Sequence, residues 1–558
     1  MTITSGRNVL QPISFCNDED QDLKFTIPKP TSVSTSLLTR IDELARTNLP
    51  PMDSETPSLS AVLAESKARL KQITFRISSG RSAHLLKELH DARERELESI
   101  HRLNGILSNG RLLPPEILLE IFAFCMETIF GRFVIDLTQR DNILWRLGQV
   151  CSRWRALVSQ HMHRYWSSIV IDLNRLSEPQ HIAPGYVQYL LEICLRRSAN
   201  HSLTFEVVGC PTHCARLKQD IFSLLVSQSD RWKKVTFRNI PYSLLSGHLS
   251  HLQHIPRLEN LTICLPKHDT PNTAPESIIP HDTPINLLSS SSRLQYIYLY
   301  GFDLGTLSNL RVPWSTLPDI SGMYSCDTML EVFNLATSMS SSFICMGTKT
   351  PPQNPPTHIV HPSLSDFDLD GFLWILDYLT LPTLQRFCAH AWEPSQFSII
   401  PSFIRRHPSI SELRLWVEEC SPDESIMLDI YQACTEITSL KLGVDMHDAY
   451  RLFPMLTVDE SSSKGCLLPK LIDLELDAGT VHADLAALLI KMLESRNRSP
   501  SLTHHCAKIE SLTVYVSMRT LETSLDKQLQ VFRDKGMRIV LEESAFPEPT
   551  EEEDLVMY

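Results

Sequence analysis

What the chain lacks narrows its chemistry first. Its 558 residues contain no Gly-Lys dipeptide, which excludes a Walker-type phosphate loop. There is no Gly-x-Ser-x-Gly elbow and no His-Glu-x-x-His pair, so neither of those hydrolase sites is written here. Positive charge is short: 52 Lys and Arg stand against 65 Asp and Glu, a formal net charge of −13. Non-specific nucleic-acid or membrane-surface binding needs concentrated positive charge, so neither partner is expected. No apolar run reaches the roughly eighteen residues of a membrane span, and "MTITSGRNVLQPISFC" has no signal-type apolar region. The 14 cysteines are scattered without a framework, which fits reduced thiols in the cytoplasm or nucleus better than a disulfide scaffold.

Metal-ligand spacing is equally thin. "CPTHC" offers Cys210, His213 and Cys214, but a closed structural zinc site needs four ligands and no second pair lies nearby. His248, His251 and His254 in "HLSHLQH" drift around a helix at that spacing and read as solvated side chains. Asp366, Asp368 and Asp370 in "DFDLDGF" alternate along a predicted strand, as a recognition patch or an ordinary solvent-facing surface would. No cofactor, metal or catalytic residue is expected.

What is present is an ordinary globular composition, 42% hydrophobic and 21% charged, enough for a sizeable core. Residues 1–57 are rich in Ser, Thr, Pro and Asp and read as mostly disordered, with one short helical patch, "SLLTRIDELART". Residues 58–109 turn to Glu, Lys, Arg and Leu. Leu86, Leu89, Arg93, Leu97, Ile100 and Leu107 trace an approximate heptad seam, interrupted by Gly80 and Arg93. That predicts a charged, coiled-coil-like helix, packed on a helix of its own chain or of another.

From residue 171 to 540 one spacing recurs: an apolar residue, another three positions on, and a third two beyond. It occurs in "WKKVTF", "LENLTI", "LQYIYL", "LEVFNL", "LSDFDL", "ISELRL", "ITSLKL", "LIDLEL" and "IESLTV", with "LQRFCA" a weaker copy. Each copy ends in the alternation of a short strand. Several follow a helical stretch such as "LKQDIFSLLVSQ", "FSIIPSFIRR", "DESIMLDIYQAC" or "HADLAALLIKMLES". Helix, link and strand repeated in this way predict an α/β solenoid with parallel strands, each unit burying its face on the next. The alternative is an ordinary α/β domain whose strands share similar endings. The pattern resembles a leucine-rich repeat of irregular length, with the usual Asn or Cys ladder mostly missing. Pro/Ser/Thr-rich stretches near 266–291 and 338–362 read as exposed loops, and residues 541–558 as an acidic disordered tail.

Between the charged helix and the repeats lie two phrases, "RLLPPEILLEIF" and "LGQVCSRWRALV". Pro114, Pro115 and Glu116 mark a helix start, since a first-turn proline loses no hydrogen bond and a carboxylate suits the positive end. Ile117, Leu118, Ile121, Phe122 and Cys125 then fall on one predicted face. In the second phrase Leu147, Val150, Cys151, Trp154, Leu157 and Val158 do the same, with Arg153 and Arg155 pointing away. So small a module carries more apolar surface than it can hide, which implies a partner helix.

Residues 110–170 resemble the F-box. The family's Leu-Pro-x-Glu-Ile stands here as Leu113, Pro114, Glu116 and Ile117. Its Val-Cys-x-x-Trp-Arg stands as Val150, Cys151, Trp154 and Arg155, and its closing Trp as Trp166. "NLPPMDSE" followed by a charged helix is similar to the layout of many fungal F-box proteins. The departure is "METIFGRFVIDLTQRDN", longer and more polar than the family's link.

The resemblance implies a non-catalytic substrate receptor of a Skp–cullin–F-box ubiquitin ligase. Leu113, Pro114, Ile117, Leu118, Ile121, Phe122, Val150, Cys151 and Trp154 would meet the Skp adaptor, with Trp154 and Phe122 as anchors. The repeats would hold a protein target, with Trp416 and Tyr298 as candidate contacts on the strand face. The alternative is a ligase-independent scaffold with a decayed F-box.

Overall fold

A side-chain period of two sends one residue of each strand into a core and the next to the opposite face. The computed structural model describes residues 34–47, 49–79, 83–126, 133–139, 142–177, 184–209, 215–250, 252, 254–266, 284–285, 293–347, 358–417, 422–443, 446–458, 466–477, 483–498, 506–516 and 523–543. They fall into two compact units, one within 1–132 and 143–162, the other within 133–142 and 163–558.

In the first unit α1 (Thr35–Thr47), α2 (Thr56–Ser79) and α3 (Ala83–Ile106) precede α4 (Pro115–Met126), α5 (Ile143–Val150) and α6 (Ser152–His161). The heptad-like seam of α3 packs on α2 of the same chain, through Ile73, Leu89 and Ala92 at one end. At the other, Leu59 of α2 and Leu103 and Ile106 of α3 close over Ile41 and Leu44 of α1. Between the two ends Arg69 bridges Glu65 at 2.6 Å and Glu96 at 2.9 Å, tying α2 to α3 through charge.

The second unit is built on a 15-stranded parallel sheet. Its first half runs β1 (Ile135–Asp136), β2 (Ser168–Asp172), β3 (Leu203–Val208), β4 (Trp232–Arg238), β5 (Asn260–Cys264), β6 (Tyr296–Tyr300), β7 (Asp319–Tyr324) and β8 (Ser341–Met346). Two short strands, β9 (Ile359–Val360) and β11 (Leu379–Thr380), pair apart from it. The main sheet continues through β10 (Asp366–Gly371), β12 (Arg386–Ala391), β13 (Glu412–Trp416), β14 (Ser439–Gly443), β15 (Asp473–Asp477), β16 (Ser511–Val516) and β17 (Arg538–Glu543).

Register holds two inward rows in line from strand to strand. One runs through Leu261, Ile297 and Ile320, and on through Phe367, Phe387 and Leu413. All of these are buried. Gly322 interrupts the second row where β7 meets Leu299. A Cβ there would stand 2.0 Å from the Leu299 carbonyl oxygen and 2.8 Å from the Tyr324 ring, so only glycine fits. The architecture is therefore α/β, with alternating helix and parallel-strand units in a solenoid-like order.

Several sequence expectations change in this frame. "LEVFNL" is not a strand: Leu330, Phe333 and Leu335 lie in the helix Cys326–Leu335. The hydroxyl of Ser325 caps that helix by accepting from the Thr328 N–H, and Met329 and Val332 complete its buried face. The stretch 338–362 is not simply a loop, because Ser341–Met346 forms β8, inside the sheet. Residues 267–283 and 286–292 of the other loop lie outside the described residues, as does the 541–558 tail beyond Glu543. "LGQVCSRWRALV" is two helices, broken at Cys151. Cys466 and Cys506 are joined as a disulfide, against the expectation of reduced thiols; eight other described cysteines are free.

Two buried side chains satisfy backbone N–H groups far away in sequence. Gln396 accepts the Leu373 N–H at 2.6 Å through Oε1, and His407 accepts the Leu381 N–H at 2.8 Å through Nε2. His407 Nδ1 in turn donates to the Phe403 carbonyl at 2.7 Å, which fixes the neutral tautomer with its proton on Nδ1. Burial holds the imidazole below its ordinary value near 6.5. The unfolded chain then takes up a proton that the folded chain refuses, so stability falls as pH drops below about 6.5. A thermal-melting series from about pH 7.5 to 5.5 should show this loss. His407→Gln should flatten part of the slope, and an unchanged slope would contradict the assignment.

Candidate protein-docking site

The first unit carries the proline-led phrase. Pro115 and Glu116 open α4, whose residues then divide between two faces. Leu118, Phe122 and Met126, four apart, turn inward and are buried. Ile117, Ile121 and Phe124, at helical spacing on the other face, are 46%, 43% and 77% exposed, and Cys125 is exposed beside them. The single face read from sequence is thus two faces. Leu118 and Phe122 hold the module together, while Ile117 and Ile121 meet solvent. The sequence reading missed Phe124, although its spacing from Ile117 and Ile121 was visible.

The remaining predicted residues sit around this helix. Leu113 is half-buried and Pro114 exposed at its entry; Val150, at the end of α5, is 58% exposed. Cys151 lies between α5 and α6, and its Sγ accepts the Trp154 N–H at 3.4 Å, capping α6. Trp154 is half-buried, its ring set edgewise on Phe122 with centroids 4.7 Å apart. Such a contact adds about 1 kcal/mol to the burial of the two rings. Trp154 therefore acts first as an internal wedge between α4 and α6.

Arg153 does not point away. Its guanidinium donates to the carbonyls of Arg111 at 2.6 Å and Leu113 at 2.5 Å, clamping the turn that launches α4. Arg111 continues the chain of contacts by donating to the carbonyls of Leu44 at 2.7 Å and Leu49 at 3.2 Å. Burial lowers the Arg111 pKa from its ordinary value. The entry turn, α1 and α6 are thereby fastened together by arginine–carbonyl bonds.

The long inter-helix segment also finds its place. Ile135 and Asp136 form β1, paired with Ile169 and Val170 of β2, so the sheet of the second unit begins inside that segment. Trp166, just before β2, is fully buried, with the Arg197 guanidinium 4.6 Å above its ring.

The strand face holds the other candidates. Tyr298 and Trp416 are half-buried on the side of the sheet opposite the inward rows, as are Asp366, Asp368 and Asp370. His248 stacks on Phe222 at 5.3 Å and His254 is exposed; His251, Cys210, His213 and Cys214 lie outside the described residues. Among the described residues no group of three His, Cys, Asp or Glu could hold a metal ion. None of the described helices is long and apolar enough to cross a membrane.

The F-box-like family model matches residues 111–172, the stretch from the entry turn to the end of β2. No curated protein matches the chain. An F-box-like domain is therefore present, followed by helix and parallel-strand units. That arrangement is consistent, in general terms, with an adaptor role in ubiquitin ligation.

The arginine clamp is open to direct test. Arg153→Ala should cost about 2 kcal/mol in denaturant unfolding of the full chain, because two carbonyls lose a charged donor. It should also raise amide exchange from Leu112 to Leu118. Arg153→Lys should recover little, since an ammonium cannot span both acceptors as a planar fork does. Unchanged exchange in Arg153→Ala would refute the clamp.

Proposed function

We propose that this chain is the substrate-recognition subunit of a Skp–cullin–F-box ubiquitin ligase. The F-box-like domain docks on the Skp adaptor, and through it on a cullin. The strand face of the second unit binds a protein target. The observation that carries this reading is the exposed stripe of Ile117, Ile121 and Phe124 on α4. Three large apolar side chains at helical spacing gain little in water and much against a partner helix.

Val150 and Pro114 extend the contact, while Leu113, Cys151 and Trp154 shape it from beneath, with Leu118 and Phe122 as its internal support. The receptor supplies proximity and orientation, so it needs neither a catalytic residue nor a cofactor. It works in the cytoplasm, the nucleus or both, without nucleic acid or membrane. The long inter-helix segment is the feature that favours the alternative, a ligase-independent scaffold with a decayed F-box; two of its residues, Ile135 and Asp136, pair with β2.

Co-purification of the full chain with the Skp adaptor tests the reading. Wild type should capture the adaptor, while Phe124→Asp and Ile117→Asp should each reduce capture about a hundred-fold, an effect of hot-spot size. Their thermal melting should stay close to wild type, because both side chains are exposed. Failure of wild type to bind would overturn the proposal.

A further inference from the structure

The inner strands of the main sheet are paired on both sides, whereas β17 is paired on one: among the described residues no strand lies beyond it. Its backbone groups alternate between the two sides, as in any strand. The Arg538 N–H donates to the Glu510 carbonyl at 2.9 Å, so Arg538, Val540 and Glu542 turn their backbone groups toward β16. Those of Ile539 and Leu541 therefore point away from the sheet, along its edge.

The inward row is unfinished at the same strand. Leu512 and Val514 of β16 are buried, but their ladder neighbours Ile539 and Leu541 are only half-buried. The helix Thr523–Arg533 packs against β17 without closing over them. A repeat array that ends in this way leaves apolar surface that a further strand would cover.

On the open face β17 presents Arg538, Val540 and Glu542, a cation and an anion with an apolar residue midway between them. Both charged side chains are exposed, and neither forms an ion pair among the described residues. Charges on an edge strand repel most added strands. Against a second β17 running antiparallel, however, they match in one register. With Val540 opposite its own copy, Arg538 faces Glu542 of the partner subunit, and the reverse pair forms across the twofold axis. The same register sets Ile539 opposite Leu541 of the partner subunit on the inward face. These are the residues whose backbone groups point outward, so they exchange N–H and C=O bonds. A shift of two residues loses both ion pairs, and a shift of one turns the apolar residues to the wrong face.

We infer that β17 is a self-association edge, at which two copies of this chain pair their last strands antiparallel about Val540. The two sheets then run on as one, and each copy finishes the other's inward row. Charge complementarity selects the occupant: the strand that answers Arg538 and Glu542 together is the same sequence reversed. The inference stands apart from the receptor reading. A dimer of this kind presents every other binding surface twice, which favours targets that offer two contacts.

Sedimentation velocity of the full chain over a range of concentrations tests it. Wild type should pass reversibly from one copy to two. Arg538→Glu and Glu542→Arg should each weaken association at least about ten-fold, since both cross-strand pairs become repulsive. The two single variants mixed together should associate with each other, and the double variant Arg538→Glu/Glu542→Arg should recover wild-type association. Melting curves close to wild type are expected for all three, because both side chains are exposed. A wild-type chain that stays single at every concentration would overturn the inference, as would single variants that associate as wild type does. Association that appears only when residues 544–558 are removed would also overturn it, assigning the edge to that segment of the chain.

Discussion

Common register between neighbouring parallel strands is the constraint on which the second unit depends. A slip of one residue in any ladder would carry Phe367 or Leu413 to the open face and drive Asp368 or Arg414 into the core. The inward rows therefore fix the open rows, and with them every pairing of open-face charge. Among the described residues the sheet also ends in forms that discourage indiscriminate pairing: β1 has two residues, and β17 carries Arg538 and Glu542. Because β1 lies between α4 and α5 in sequence, the sheet's first strand and the F-box-like helices are laid down in one continuous stretch of chain.

Legibility in the sequence followed the strength of the local signal. The spacing in "LENLTI", "LQYIYL" and "ISELRL" is that of true strands because two inward positions alternate with polar neighbours. "LEVFNL" carries the same three apolar positions in a helix, where Met329 and Val332 supply the rest of a 3.6-residue period. β7 and β8 were illegible for the opposite reason. "DISGMY" puts Gly322, and "SSFICM" puts Ser342, at inward positions where the pattern expects a large apolar residue. Ser342 is tolerated there because its hydroxyl donates to the Ile320 carbonyl at 2.7 Å.

At α4 the sequence displayed the residue types but not their division. Consecutive apolar residues from Ile117 to Phe124 satisfy both an inward and an outward stripe, and periodicity alone cannot assign the faces. Packing does so, since Trp154 takes the side occupied by Phe122. The arginine clamp was equally hidden, because arginine–carbonyl bonds over a separation of 42 residues leave no local pattern. His407 and Gln396 likewise act on backbone groups more than twenty residues away in sequence.

The proposed function assigns adaptor docking to the exposed stripe of α4 and target binding to the strand face. The most direct measurement of that division is hydrogen exchange of the full chain, alone and with the Skp adaptor. The account predicts new protection on α4 and at the end of α5, with β5 to β10 unchanged. Protection confined to the strand face, or absent from α4, would contradict it.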